Sequence, residues 1–228
     1  MVIVTAMDDL AADLMLLAVR RDGRLDVSSK LRFGLAGSEL VRLTAARRLD
    51  VAGDTIVVID TAPTGDPLLD EALSLMTGGK SPPTARAYVA RARPRLVQRY
   101  LARLRDDGII QADRRTVLGF IPVTRWVVVD TGRTARARAT LQAVAQGTGT
   151  LEPAQAALAG LASAIGLASY VFPGVAGVPA RKRLKEAAIG DPATDETVRA
   201  ATDAPLMASI SAATAAATAV ASRAGGFH

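Results

Sequence analysis

From Asp8 to Val19 apolar residues return at helical spacing, with Leu10, Leu14, Leu17 and Ala18 on one face. A second helix is predicted over 37–47, with Leu40, Val41, Leu43 and Thr44 turned inward. The period then shortens to that of strands, and 49–51 with 55–60 reads as a hairpin turned at Gly53 and Asp54. A third helix opens at Pro67 and stops at Gly78-Gly79, after which Ser81-Pro82-Pro83 is a loop. Helical period resumes over 84–107 with a break at Pro94, because proline lacks the backbone donor the helix needs. Leu96, Val97, Tyr100, Leu101 and Leu104 make its apolar side, and Arg95, Arg99 and Arg103, spaced by four, make a basic stripe beside it. The β-formers Val123, Trp126, Val127, Val128 and Val129 mark 109–129 as a second hairpin. From Arg136 the chain reads as further helices, parted by loops at 147–153, 173–179 and 190–192. No repeat or linker divides it, so the expectation is a single, mainly α domain over 1–228 with peripheral hairpins.

One block joins a turn, a helix start and an apolar face: Pro63-Thr64-Gly65-Asp66-Pro67-Leu68-Leu69-Asp70-Glu71-Ala72-Leu73. Pro63 fixes φ and Gly65 permits positive φ, while Asp66 is placed to accept from the first N–H groups of the helix begun by Pro67. Leu68, Leu69, Ala72 and Leu73 then form the buried stripe, with Asp70 and Glu71 toward water. Further along, the uncharged run 154–178 is long enough for a bilayer span. Its Ala, Gly and Ser content, Gln155 and the Pro173-Gly174 break favour a buried core helix instead, with the Ala-rich 204–222 as its neighbour.

Composition narrows the chemistry. Half of the 228 residues are hydrophobic and 22% are charged, which suits a globular domain, and with only 4% aromatic residues the core must be filled by Ala, Leu and Val. The absence of cysteine excludes disulfides, thiolate metal sites and thiol nucleophiles. The single histidine is the last residue, His228, so no catalytic residue, metal site or cofactor is expected and the chain does not read as an enzyme. The carboxylates Asp66, Asp70 and Glu71, like Asp8, Asp9 and Asp13, suit helix starts better than catalysis. Asp8, Asp9 and Asp13 also interrupt any secretory signal pattern, which points to a cytoplasmic protein. The net charge of +6 points to an anionic partner, although an Arg-rich, Ala-rich, cysteine-free chain is also what a GC-rich bacterial genome encodes.

The block at 63–73 resembles the P-T-G-D-x-L-L-D-E-A-L signature of the Golgi phosphoprotein 3 (GPP34-type) family, peripheral proteins that bind phosphatidylinositol 4-phosphate on cytosolic membrane faces. Other stretches follow in the family's order: DDLAADLMLLAVRRDGRL from Asp8 to Leu25, GLAGS from Gly34 to Ser38, LARLRDDGII from Leu101 to Ile110, and KRLKE from Lys182 to Glu186. The resemblance implies a bacterial member with a helical core, surrounding amphipathic helices and one projecting β-hairpin. It also implies that Val117, Leu118, Phe120 and Ile121 form an apolar hairpin tip for membrane insertion or self-association, with Arg114, Arg115 and Arg125 as basic residues beside it. The alternative for this hairpin is packing onto its own domain. The family's headgroup pocket aligns with Val27, Ala36, Pro94 and Val97, so its Trp and Arg residues are replaced here. Arg32, one turn before Ala36, and Arg91 and Arg95, which bracket Pro94, are the candidates for a relocated headgroup site; an ordinary solvated face is the alternative.

The expected function is therefore peripheral binding to an anionic phospholipid surface, with a homo-oligomer built through the hairpin. The rival is a winged-helix-like nucleic-acid-binding module, with 111–126 as the wing and Arg95, Arg99 and Arg103 on phosphates. Only a fraction of the chain fits that rival, and Pro94 splits the approach to its recognition helix.

Overall fold

The computed structural model describes Met7 and residues 9–25, 28–52, 54–117, 121–147, 151–187 and 211–219. At its centre stand two helices, α1 (Leu10–Ala18) and α2 (Ser28–Ala45). In α1 the burial extends past the expected face to Ala11, Met15 and Leu16, so the helix is enclosed on nearly all sides. Helix α2 begins nine residues earlier than its sequence period suggests, at Ser28 rather than Gly37. The signal there is masked because Gly34 and Gly37, poor helix formers, sit on a contact face. A Cβ at Gly34 would lie 2.8 Å from Ile165 Cδ1, and one at Gly37 would lie 2.7 Å from Leu161 Cδ2. Glycine at both positions lets α2 approach the neighbouring helix closely.

That neighbour is α7 (Pro153–Ala164), which buries Ala156, Ala157, Leu158, Ala159, Leu161 and Ala162. The expected core helix over 154–178 is borne out as far as Ala164; it ends earlier than Pro173-Gly174 because Gly166, with a φ of 85°, breaks the helical path before the one-turn α8 (Ala168–Val171), and Tyr170 and Val175 beyond it are exposed. Among the described residues no helix is long and apolar enough to cross a membrane. The helical stretch 211–219, α10, buries Ala213, Ala216 and Ala217, and Ala213 meets α2 at Gly37.

Around this core lie α3 (Pro67–Thr77), α4 (Ala85–Ala90), α5 (Leu96–Asp106), α6 (Thr131–Gln146) and α9 (Val178–Ala187). Pro94 separates α4 from α5 as expected. Helix α6 starts five residues before Arg136, because Asp130 caps it, accepting from the Arg133 N–H at 2.8 Å. Its other end is closed by Arg183 of α9, which donates to the carbonyls of Ala145 and Gln146.

Two antiparallel hairpins complete the molecule: β1 (Leu49–Ala52) with β2 (Thr55–Val58), and the longer β3 (Ile110–Val117) with β4 (Ile121–Val128). The register of the long pair runs from Ile110↔Val128 to Val117↔Ile121. Its base docks on the core through the buried Ile110 and the partly buried Trp126 and Val128. The fold is mainly α, with both hairpins at its periphery.

Candidate functional site

The 63–73 block is a charged junction. Gly65 takes a φ of 86°, which lets the Asp66 side chain turn back to accept from the Leu68 N–H at 2.9 Å. Asp70 accepts from the backbone N–H and hydroxyl of Thr64, at 2.6 and 2.7 Å. The second oxygen of Asp66 receives two guanidinium groups, Arg42 at 2.7 Å and Arg103 at 2.6 Å. Arg42, on α2, is 3% exposed, so its charge is held within the protein by this carboxylate. Burial opposes ionisation of Asp66, but the hydrogen bond from Arg103 and the charge of Arg42 outweigh it and hold the carboxyl below its usual range.

One turn earlier on α2, Glu39 is fully buried. It accepts from the Tyr88 hydroxyl at 2.6 Å and pairs with Arg93. Burial pushes its carboxyl up to about 7 against the pull of Arg93 and Tyr88. Burial and then Glu39 raise the Tyr88 phenol well above its normal value, so Tyr88 remains a donor. On α5, Arg99 pairs with Glu71 of α3. Two arginines of the expected basic stripe, Arg99 and Arg103, are therefore held by carboxylates, and Arg95 stands exposed at the start of α5.

A cleft of about 530 Å³ opens beside this network. Ala36 and Glu39 line it from α2, Tyr88 from α4, and Arg91 and Arg93 from the segment where Pro94 interrupts the helix; the Gly79–Pro83 loop closes one side. Arg93 is committed to Glu39. Arg91 is exposed, and its side chain has no hydrogen bond or ion pair among the described residues. Of the three headgroup candidates, Arg91 reaches the cleft, while Arg32 and Arg95 are not among its lining residues. The Arg32 guanidinium lies 4.8 Å from the centroid of the adjacent Phe33 ring. Sequence reasoning missed Arg93, and it missed the burial of Glu39 and Arg42; two opposite charges three residues apart inside an apolar stretch were the available signal.

On the long hairpin, Leu118 and Phe120 lie outside the described residues, as do the side chains of Arg115, Val117 and Ile121. Arg114 is exposed on β3, opposite Thr124. Arg125 is opposite Asp113, one register step away, so Arg114 and Arg125 occupy opposite faces of the ribbon. Arg125 is half-buried at the hairpin base, where β4 meets the turn after α1. Gly23 in that turn has a φ of 77° and its carbonyl accepts from the Trp126 N–H at 2.7 Å. Among the described residues no cluster of three His, Cys, Asp or Glu side chains could hold a metal ion.

Compared with protein families, residues 10–220 match the model described as Golgi phosphoprotein 3 (GPP34). A search of curated proteins finds no match.

Proposed function

The chain belongs to the Golgi phosphoprotein 3 family, and from that premise we propose that it is a bacterial, peripheral membrane protein that binds anionic phospholipid on the cytoplasmic side. The headgroup, a phosphatidylinositol 4-phosphate-like phosphomonoester by family resemblance, sits in the Arg91 cleft. One observation carries this reading: Arg91, unpaired among the described residues, shares its cleft with Ala36, a position where the family resemblance places a headgroup arginine. Arg91 presents a planar fork to a phosphate, and Arg93 adds positive charge at the cleft wall while bound to Glu39.

The hairpin supplies the second contact. Each apolar side chain at Val117, Leu118, Phe120 and Ile121 contributes on the order of 1.5 to 3 kcal/mol if it passes from water into the bilayer. Each basic residue near the surface, Arg114 and Arg115 included, adds about 1 kcal/mol. A single protomer then holds the membrane weakly, and association through the hairpin raises avidity by effective concentration. The lipid reading is favoured over nucleic-acid binding because Arg99 and Arg103 are engaged by Glu71 and Asp66, which leaves Arg95 alone of the supposed phosphate-contacting stripe. No catalytic step belongs to this function.

Vesicle flotation tests it. The protein floats with vesicles containing phosphatidylinositol 4-phosphate, and Arg91→Gln or the pair Leu118→Asp with Phe120→Asp reduces the floated fraction severalfold. If the wild type stays in the soluble fraction at every anionic lipid content, the function is wrong.

A further inference from the structure

A second cavity, of about 610 Å³, shares no residue with the Arg91 cleft. It lies where three elements meet: the turn after α1 with Arg20, Arg21, Asp22 and Gly23, the base of the long hairpin with Asp113, Arg125 and Trp126, and the first turns of α6 with Thr131, Thr134 and Arg138. Four arginines face two aspartates, so the lining is cationic. Asp22 accepts from the Arg24 N–H at 3.1 Å, and its carboxylate lies 4.0 Å from Arg20 and in the field of Arg125, so it offsets part of that charge.

Among the lining residues, Arg125 Nε, Arg138 Nε and Thr134 Oγ1 are buried and have no hydrogen-bond partner among the described residues. Buried donors without partners are rare in folded proteins, because each forfeits hydration without recovering it. Such atoms also occur elsewhere in the molecule, at Arg32, Arg42 and Arg48 for example, but here three line one cavity, next to the partial positive charge at the start of a sixteen-residue helix, and together they form a donor set for acceptor oxygens. Asp130 already uses the Arg133 N–H at that helix end, so the side chains carry the argument.

We propose that this cavity is a second anion site, which takes a phosphomonoester whose organic part rests against Trp126. A phosphate dianion offers three terminal oxygens, enough to engage both arginines and the threonine hydroxyl after small rotations about their side-chain torsions. The volume exceeds that of phosphate alone, and Val19, Trp126, Val128 and Ala135 give it an apolar wall that suits an attached ring or chain. Because the base of the hairpin forms part of the cavity, a bound ligand ties β4 to α6 and to the turn after α1.

Trp126 is the only tryptophan in the chain, so its fluorescence reports on this site directly. Phenyl phosphate and inorganic phosphate serve as soluble probes, and vesicles of phosphatidic acid serve as the lipid form of the same chemistry. Phosphatidylglycerol vesicles, a phosphodiester of like sign, control for charge alone. A saturable change with phenyl phosphate identifies a soluble ligand class, and one restricted to phosphatidic acid over phosphatidylglycerol identifies a headgroup; either supports the site. Arg138→Gln weakens the phenyl phosphate response at least tenfold, Thr134→Val does so severalfold in a variant that keeps the helix backbone, and Arg91→Gln, which lies outside this cavity, leaves the phenyl phosphate response unchanged. The proposal is overturned if neither phenyl phosphate nor phosphatidic acid, measured against phosphatidylglycerol, gives a saturable change, or if folded Arg138→Gln and Thr134→Val both titrate like wild type. The Arg91→Gln arm separates this outcome from failure of the headgroup cleft.

Discussion

The arginines of the 63–73 junction and those of the hairpin-base cavity are the same residue in opposite circumstances. At the junction, Arg42, Arg99 and Arg103 each meet a carboxylate on another element, and their charge holds α2, α3 and α5 together. At the cavity, Arg125 and Arg138 keep a buried Nε with no hydrogen-bond partner among the described residues, as Arg42 does at the junction, but neither makes a direct ion pair among those residues. The difference teaches that net charge alone does not locate a binding surface, because part of the basic excess is consumed internally. Arg91, exposed in its own cleft and unpaired among the described residues, belongs with the second group.

The comparison breaks most readily at Asp66. Asp66→Asn removes the counter-charge of a buried guanidinium and is expected to cost about 3 to 5 kcal/mol, read as the loss of urea stability. A cost under about 1 kcal/mol would mean that the junction does not depend on ion pairing. Next in size is a pH effect. The folded carboxyl of Glu39 is raised to about 7, above its unfolded value, so its contribution is fully present below the unfolded value near 4.5 and is lost as pH rises through about 7. Asp13, pushed up to about 6 by burial against the pull of Arg133, acts in the same direction, whereas Asp66, held low, loses its contribution only in stronger acid. Stability should therefore fall between pH 5 and pH 8 by about 2 kcal/mol from Glu39, and Glu39→Gln should flatten that part of the profile. Arg99→Gln, at a pair open to solvent, should cost no more than about 1 kcal/mol. Smallest is Arg138→Gln, which removes an unsatisfied donor and should shift stability by no more than about 0.5 kcal/mol, measured in the same denaturation series.

Much of this architecture was legible in the sequence, wherever period and punctuation agreed. The Asp66 cap, the break at Pro94, the places of both hairpins and the burial of the first part, 154–164, of the uncharged run read over 154–178 follow from local signals. Helix α2 was read nine residues short because its glycines answer to a neighbouring helix, a tertiary cause with no local trace. For α6, the missed start was the capping role of Asp130. The candidate site was less legible. Arg91 was found, but whether an arginine is free or engaged depends on residues far away in the chain: Arg42 meets Asp66 twenty-four positions on, and Arg93 meets Glu39 across fifty-four. The cavity at the hairpin base joins three distant segments, and no spacing in the sequence announces it.

The most direct test sets one unpaired arginine against one paired arginine in the same assay. Flotation with vesicles containing phosphatidylinositol 4-phosphate, run on Arg91→Gln and Arg99→Gln side by side, should show the first losing most of its binding and the second retaining it. Equal binding by the two variants, or a loss confined to Arg99→Gln, would contradict the claim that unanswered arginines carry the function.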